Sequence, residues 1–241
     1  METLITLGYY VSSIGFLVAT LVTFNAVRKS GESGLKTVLI YLFIGTGIFF
    51  VITIFQKLGA DFFGIPDESV DIWWHLMFYL AMISYYFGFK ALAGLGRSDS
   101  APAPVNTNAG MVWGIFSLLL LVVIFIIPSR AESLVNAYVM SRFAELGAHH
   151  FLAFIMAGVV GAYLLSAKIF LGQIGRAIAS PMIVAIWALS IQHFWEMLTE
   201  SWKVIEITSD KIEGVEKIFL TISAISVIYA ASRLKAFTKG Q

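Results

Sequence analysis

The sequence contains no cysteine and few charged residues, and both absences restrict what the protein can be. Without cysteine, the chain cannot form disulfides, thiolate metal sites, iron–sulfur clusters or covalently attached c-type haem. Charged residues make up 13% of its 241 residues, whereas a soluble domain carries about a quarter. The net charge of +1 gives no electrostatic reason to expect a nucleic-acid partner.

Apolar residues, by contrast, make up 59% of the chain and fall in long blocks. A helix of about 20 apolar residues is long enough to cross roughly 30 Å of hydrocarbon. The blocks predict an all-α integral membrane protein, a bundle of seven transmembrane helices in the lipid bilayer. These predicted spans, numbered 1 to 7 in chain order, are Leu4–Val27, Thr37–Phe55, Ile72–Leu92, Met111–Ile127, Ala144–Ile169, Pro181–Thr199 and Ile218–Ser232.

The basic residues of the loops predict the orientation, with the N-terminus outside and the C-terminus in the cytoplasm. In this orientation the cytoplasmic side carries more Lys and Arg than the opposite side, as the positive-inside rule requires. The predicted cytoplasmic set is Arg28, Lys29, Lys36, Lys90, Arg97, Lys168, Arg176, Arg233, Lys235 and Lys239. The predicted outer set is Lys57, Arg130, Arg142, Lys203, Lys211 and Lys217.

We expect the whole chain, 1–241, to form one transmembrane domain. Spans 1–3 occupy about residues 4–95, and spans 4–7 occupy about residues 111–236. Between them, residues 96–110 (GRSDSAPAPVNTNAG) have the composition of a flexible cytoplasmic loop. The stretch Ser129–Phe143 has the periodicity of a short helix on the membrane surface, and the charged stretch Lys203–Glu216 is expected to extend span 6 beyond the lipid.

All 4 histidines of the chain lie at or within the boundaries of predicted spans: His75, His149, His150 and His193. An ionisable residue within lipid costs about 2.5–3.5 kcal/mol or more, so it needs a partner or a function. Counted from the outer ends of spans 3, 5 and 6, each histidine lies about 6–10 Å deep, given the helical rise per residue. The histidines are therefore predicted to share one layer in the outer half of the membrane.

Each of these spans also carries a carboxylate on the same helix face as its histidine, because residues three or four apart are neighbours on a helix. Histidines and carboxylates that face inward from several helices are the ligands of bundle-core metal sites. The predicted metal ligands are His193, Glu196, His149, Glu145, His75 and Asp71, and the predicted cofactor ligands are His193, His150, His149 and His75. His193 is the strongest candidate because it lies deepest in an apolar run.

Adjacent histidines point about 100° apart on a helix, so only one of His149 and His150 is expected to face a shared partner. For His75 and Asp71, simple capping of a helix at the membrane interface is the alternative explanation. The sequence leaves both choices open.

The histidines suit haem b, and the same residues suit zinc, iron, manganese or copper. We therefore predict a membrane redox or electron-transfer protein, with a quinone or other membrane redox subunits as partners. Two alternatives remain open: a metal-dependent membrane hydrolase or oxygenase, and a non-catalytic transporter or accessory subunit. No catalytic residue is assigned. A microbial-rhodopsin chromophore site is excluded, because Lys217 stands at the outer end of span 7 and not in mid-membrane.

Overall fold

The computed structural model describes residues 2–30, 34–63, 67–96, 147–171 and 173–238. Within these ranges the chain is helical and has no β-strand. The helices are α1 (Glu2–Lys29), α2 (Gly34–Phe63), α3 (Asp67–Gly96), α4 (Ala148–Ala167), α5 (Gln173–Glu196) and α6 (Ser209–Thr238). In this described part, 6 helices are long and apolar enough to cross a membrane, as in a multi-pass membrane protein.

These helices correspond to spans 1, 2, 3, 5, 6 and 7 of the sequence analysis. Span 4 (Met111–Ile127), the predicted surface helix Ser129–Phe143 and the candidate ligand Glu145 lie outside the described residues, as does residue range 97–110 of the predicted loop. The six described helices thus agree with a helical membrane bundle, and the seventh span stays a prediction.

The helix boundaries differ from those of the predicted spans, most informatively at the two ends of α5. Pro181 does not begin α5 but lies inside it, and α5 starts at Gln173. A proline removes one backbone hydrogen bond, which a membrane helix tolerates when neighbouring helices and side chains support it. The expected extension of span 6 through Lys203–Glu216 is wrong: α5 ends in one π-helical turn, Met197–Ser201, and α6 begins at Ser209. Lys203 has a φ of 51°, a left-handed conformation that cannot continue a right-handed helix.

The described helices are arranged as a ring in which each packs against the next described helix and α6 packs against α1. Helices α1 and α6 run parallel, since Gly8 faces Lys217 and Gly15 faces Ala224. At Gly15, an added Cβ would lie 2.9 Å from the Cβ of Ala224. Small residues at such contacts allow the close helix approach that stabilises membrane bundles, where lipid removes most of the hydrophobic driving force.

Helices α3 and α4 also run parallel. Near their starts, Nε2 of His75 lies 3.1 Å from Nδ1 of His150, and further along, the rings of Tyr86 and Tyr163 are 5.2 Å apart. Helix α5 runs the opposite way, because His193 near its end contacts Trp74 near the start of α3. One end of the bundle therefore collects all the histidines, and we call it the histidine end.

Candidate metal centre

Four buried side chains meet at the histidine end, where α3, α4 and α5 approach one another: His75, His150, His193 and Glu196. Each offers one ligand atom, and these atoms all lie within 4.8 Å of one another. None of the four residues is more than 6% exposed. We call this group the buried cluster. Ionisable groups buried at this depth are costly unless they are paired or bind a ligand.

The carboxylate of Glu196 is the centre of the buried cluster. Its Oε2 lies 2.6 Å from Nδ1 of His193 and 2.9 Å from Nδ1 of His150. Two ligand atoms on one tetrahedral ion are roughly 3.4 Å apart, because each bond to the ion is about 2.0–2.2 Å long. These two contacts of Glu196 would therefore have to lengthen by roughly 0.5–0.8 Å for the three atoms to share one ion.

Glu196 is held by Gln192, one turn earlier on α5. The side-chain Nε2 of Gln192 donates a hydrogen bond of 2.9 Å to Oε1 of Glu196. The two carboxylate oxygens of Glu196 thus have different partners: Oε1 accepts from Gln192, and Oε2 faces the histidines. A hydrogen bond of this kind fixes the orientation of a ligating carboxylate.

His75 is oriented by Asp71, which precedes it by one turn of α3. Nδ1 of His75 lies 2.9 Å from the backbone oxygen of Asp71 and 3.3 Å from its Oδ1. A carbonyl oxygen only accepts hydrogen bonds, so Nδ1 carries a proton; in the neutral form of the ring, Nε2 is then the unprotonated nitrogen, and it faces the buried cluster. This is the arrangement in which an imidazole binds a metal through Nε2.

Asp71 also contacts His149, the neighbour of His150 on α4. Its Oδ2 lies 3.3 Å from Nε2 of His149. Partial burial raises the pKa of Asp71, but hydrogen bonds from His149 and His75 lower it more strongly, so the pKa lies well below its usual range. Asp71 is therefore ionised at neutral pH. Its side chain is 46% exposed, which places it at the rim of the site and not inside it.

The start of α4 is positioned by Gly147, which has a φ of 63° and precedes the first helical residue. A Cβ at this position would overlap the side chain of Ser201 at the end of the π-helical turn. Only glycine combines this conformation with so close an approach. As a result, His150 lies between two carboxylates of α5 and the π-helical turn: Nδ1 faces Glu196, and Nε2 lies 3.5 Å from Oε2 of Glu200.

Aromatic rings enclose the buried cluster on the side of the bundle interior. The ring centroids of Trp74 and Phe78 lie 5.1 Å and 4.5 Å from that of His193. Trp74 and Phe78 stack on each other at 5.3 Å. These rings exclude water from this side, which strengthens electrostatic interactions among the cluster residues.

The structure places the predicted ligands in two layers. His193, Glu196, His75 and His150 form the buried cluster, while His149 and Asp71 contact each other beside it. The sequence could not decide between His149 and His150, and the structure brings His150 to the cluster. His149 contacts Asp71 instead. Glu145 lies outside the described residues.

Sequence reasoning missed one buried ionic pair, Glu216 and Lys217 on α6. Lys217, which the loop analysis placed outside, is 3% exposed. Its Nζ lies 4.0 Å from the centre of the Tyr9 ring and 3.9 Å from Oε2 of Glu216. Gly8 leaves room for the lysine, since a Cβ there would lie 2.6 Å from Cβ of Lys217. The sequence did contain a signal for this pair: the charged stretch before Ile218 can continue as one helix with the apolar run that follows it.

No protein-family model, no curated protein and no solved structure matches the chain. A fold alone does not define a function, so the function has to be inferred from the chemistry of the site.

Proposed function

We propose that this chain is a membrane metalloprotein that binds one transition-metal ion through His75, His150, His193 and Glu196 and uses it in membrane redox chemistry. The supporting observation is the convergence of four buried ligand atoms from three helices within 4.8 Å. Three imidazoles and one carboxylate suit zinc, iron, manganese and copper by ligand type. Of these ions, iron, copper and manganese change oxidation state.

The spacing of the ligands favours a single ion over haem b. Two axial ligands of a haem must stand on opposite faces of a flat macrocycle, which requires a planar gap between their helices. In the buried cluster, Glu196 Oε2 contacts the histidines of α4 and α5 directly. The ring of Phe78 also lies 4.5 Å from that of His193. A haem would need this packing to separate, whereas an ion needs only a small outward shift.

The closure of the site favours electron transfer over hydrolysis. A hydrolytic zinc site keeps one coordination position open for water and substrate. The four ligands of the buried cluster can fill a tetrahedral ion, and all four are buried. Electron transfer needs no such access. A membrane quinone or a partner redox subunit would donate or accept the single electron by which the ion changes oxidation state.

A metal-dependent membrane enzyme is the second candidate function. It is favoured by the exposed carboxylates at the edge of the site. The side chains of Asp71 and Glu200 are 46% and 48% exposed, and each contacts a histidine of the buried cluster. A substrate approaching from the histidine end would meet these carboxylates first. This reading requires that one cluster ligand leave the ion during turnover.

Metal analysis of the purified chain tests the proposed function. We expect one firmly held iron, copper or manganese ion per chain after purification without chelators, and a reversible one-electron redox titration. Absence of a Soret band would exclude haem b, and stoichiometric zinc would favour the second candidate. A protein with neither metal nor haem, even after incubation with each ion, would contradict both.

We also propose seven membrane crossings, with the N-terminus outside. Support comes from the parallel arrangement of α3 and α4, whose first turns contact each other. The chain that leaves α3 at Gly96 has to return to the histidine end before Gly147, and Met111–Ile127 is apolar and long enough to do so. A crevice of about 760 Å³ between α3 and α4, lined by residues such as Ile83, Ile155 and Val159, would provide its packing surface.

Cysteine labelling tests this topology without background, because the natural chain has no cysteine. A membrane-impermeant thiol reagent should label Ser209→Cys in intact cells. It should label Ser100→Cys only after the membrane is opened. If both variants react from the same side, the chain does not cross the membrane seven times in this order.

A further inference from the structure

We infer that the site binds a second metal ion at its exposed edge, through Asp71, His149 and the Nδ1 atom of His75. This inference rests on the proposed function, because His75 would belong to both ions. The three residues each offer one ligand atom, and these atoms lie within 4.8 Å of one another. We call this group the rim cluster.

The ring of His75 faces two different sets of ligands. Its Nε2 lies 3.1 Å from Nδ1 of His150, in the buried cluster. On its other side, Nδ1 lies 3.3 Å from Oδ1 of Asp71, in the rim cluster. One imidazole can bridge two ions only if each ring nitrogen has further ligands beside it, and His75 meets that condition. The bridge requires loss of the Nδ1 proton, which is released to solvent when the second ion binds.

The rim cluster has spacings that suit an ion without much rearrangement. The two carboxylate oxygens of Asp71 are divided between the histidines, with Oδ1 3.3 Å from His75 and Oδ2 3.3 Å from Nε2 of His149. Each distance is close to the separation of roughly 3.4 Å between neighbouring ligands on one tetrahedral ion, and the two distances end on different oxygens of Asp71. The carboxylate would therefore bind the ion through both oxygens, so that Asp71, His75 and His149 are three protein ligands.

The ligands of the two proposed ions differ in their exposure to solvent. The side chains of Asp71 and His149 are 46% and 16% exposed, whereas those of His193 and Glu196 are 0% and 7% exposed. With three protein ligands, the rim ion has an open position toward the histidine end, where water or a small anion would bind. Imidazole and carboxylate ligands select a borderline divalent ion such as Zn²⁺ or Cu²⁺. The rim ion should bind more weakly than the buried ion, because it has fewer protein ligands.

A simpler arrangement competes with this one. Nδ1 of His75 lies 2.9 Å from the backbone oxygen of Asp71 and can donate its proton there. In that case Asp71 and His149 would only orient His75, and the site would bind one ion. The two arrangements predict different numbers of bound ions and different magnetic behaviour.

Copper loading of the full chain distinguishes them. Detergent-purified protein, stripped with chelator, would be dialysed against Cu²⁺ and its copper content measured. We expect two copper ions per chain, falling to one in Asp71→Asn and in His149→Ala. The control is Glu206→Gln, which replaces an exposed carboxylate outside both clusters and should leave two. The one copper retained by the rim variants shows that they are folded.

Electron paramagnetic resonance gives a second readout. Spins of two Cu²⁺ ions bridged by His75 should couple, so the signal of the loaded wild type should fall well below that of two isolated ions. Asp71→Asn should regain the full signal of one ion. If the wild type binds one copper and Asp71→Asn also binds one, the proposal of a second ion is wrong, while the proposed function stands. If neither protein binds copper or another transition metal, both proposals fail.

Discussion

Two regions of this bundle are equally buried but chemically opposite: the buried cluster around His193 and the aromatic core around Phe49. His193 and Phe49 are both 0% exposed. The core is a cluster of rings in which Phe16 and Tyr85 stack on Phe49 and Phe78 meets it edge-to-face, with centroids 5.0–6.0 Å apart. Phe78 joins the two regions, since it contacts both Phe49 and His193. Burial alone therefore does not distinguish the two regions. The convergence of several buried ionisable side chains does.

Buried polar groups occur in both regions. Near the aromatic core, Thr23 and Thr46 donate to carbonyls of their own helices at 2.8 Å and 2.9 Å, so they need no further partner. Among the described residues, Nε2 of His193 in the buried cluster and the hydroxyl of Tyr85 in the aromatic core both have no hydrogen-bond partner. Such groups are costly in either region, so the candidate site is distinguished by its converging histidines and carboxylate and not by an unpaired atom alone.

The comparison predicts that truncated side chains in the buried cluster reduce metal binding, whereas those in the aromatic core reduce stability. His193→Ala should have the largest effect on metal binding. It removes a proposed ligand, so we expect complete loss of the proposed ion, measured as metal per chain. Loss of its hydrogen bond would lower stability by about 1–3 kcal/mol. Phe49→Ala should lower stability by about 3–5 kcal/mol but leave the metal content of the folded fraction unchanged. Ile191→Ala, an exposed position on α5, is the control.

If the His193→Ala protein retains its metal, the buried cluster does not differ from the aromatic core in metal binding. Thermal unfolding in detergent, followed beside elemental analysis, separates the two kinds of failure. Equal metal loss in Phe49→Ala that remains folded would show that the aromatic core also holds the site.

Glu196→Gln should have the next largest effect. It keeps the shape of the side chain but removes the charge on the oxygen that faces His150 and His193. We expect metal affinity to fall on the order of 100-fold or more, since even residues behind the ligands contribute 10–100-fold. Competition with a chelator measures this change, and Glu206→Gln is the matched control. An unchanged affinity would remove Glu196 from the ligand set.

Gln192→Leu should have a smaller effect, because Gln192 acts through Glu196. Losing its hydrogen bond to Oε1 frees the carboxylate to rotate, and we expect affinity to fall about 10–100-fold. The same chelator competition applies. For an iron or copper ion, the reduction potential should shift as well, which a purely structural role of Gln192 would not produce.

Gly147→Ala should have the smallest effect and tests how the site is positioned. A side chain here meets Ser201 and an unfavourable backbone conformation, costing about 1–3 kcal/mol. We expect lower thermal stability and a weaker metal site, since the start of α4 carries His150. The matched control is Gly94→Ala in α3, where no atom lies within 4 Å of the added Cβ among the described residues. A helical Gly→Ala change at such an open position should be neutral or stabilising.

The class of this protein follows from the sequence, because membrane-spanning helices are a local property. Their length and apolar composition can be counted along the chain, and six of the predicted spans coincide with described helices. The same holds for the candidate ligands on one helix face: His193 and Glu196, three residues apart, do contact each other. Short-range geometry of this kind needs no knowledge of the neighbours.

The tertiary structure decided what depends on which helices are neighbours. It brought His150 instead of His149 to the buried cluster and gave His75 a contact on each side of its ring. It also buried Lys217 against Tyr9, where the charge pattern had indicated an outer loop. The physical reason is that helix order and rotation in a bundle arise from side-chain packing between distant segments. A one-dimensional pattern of apolar residues does not contain that information.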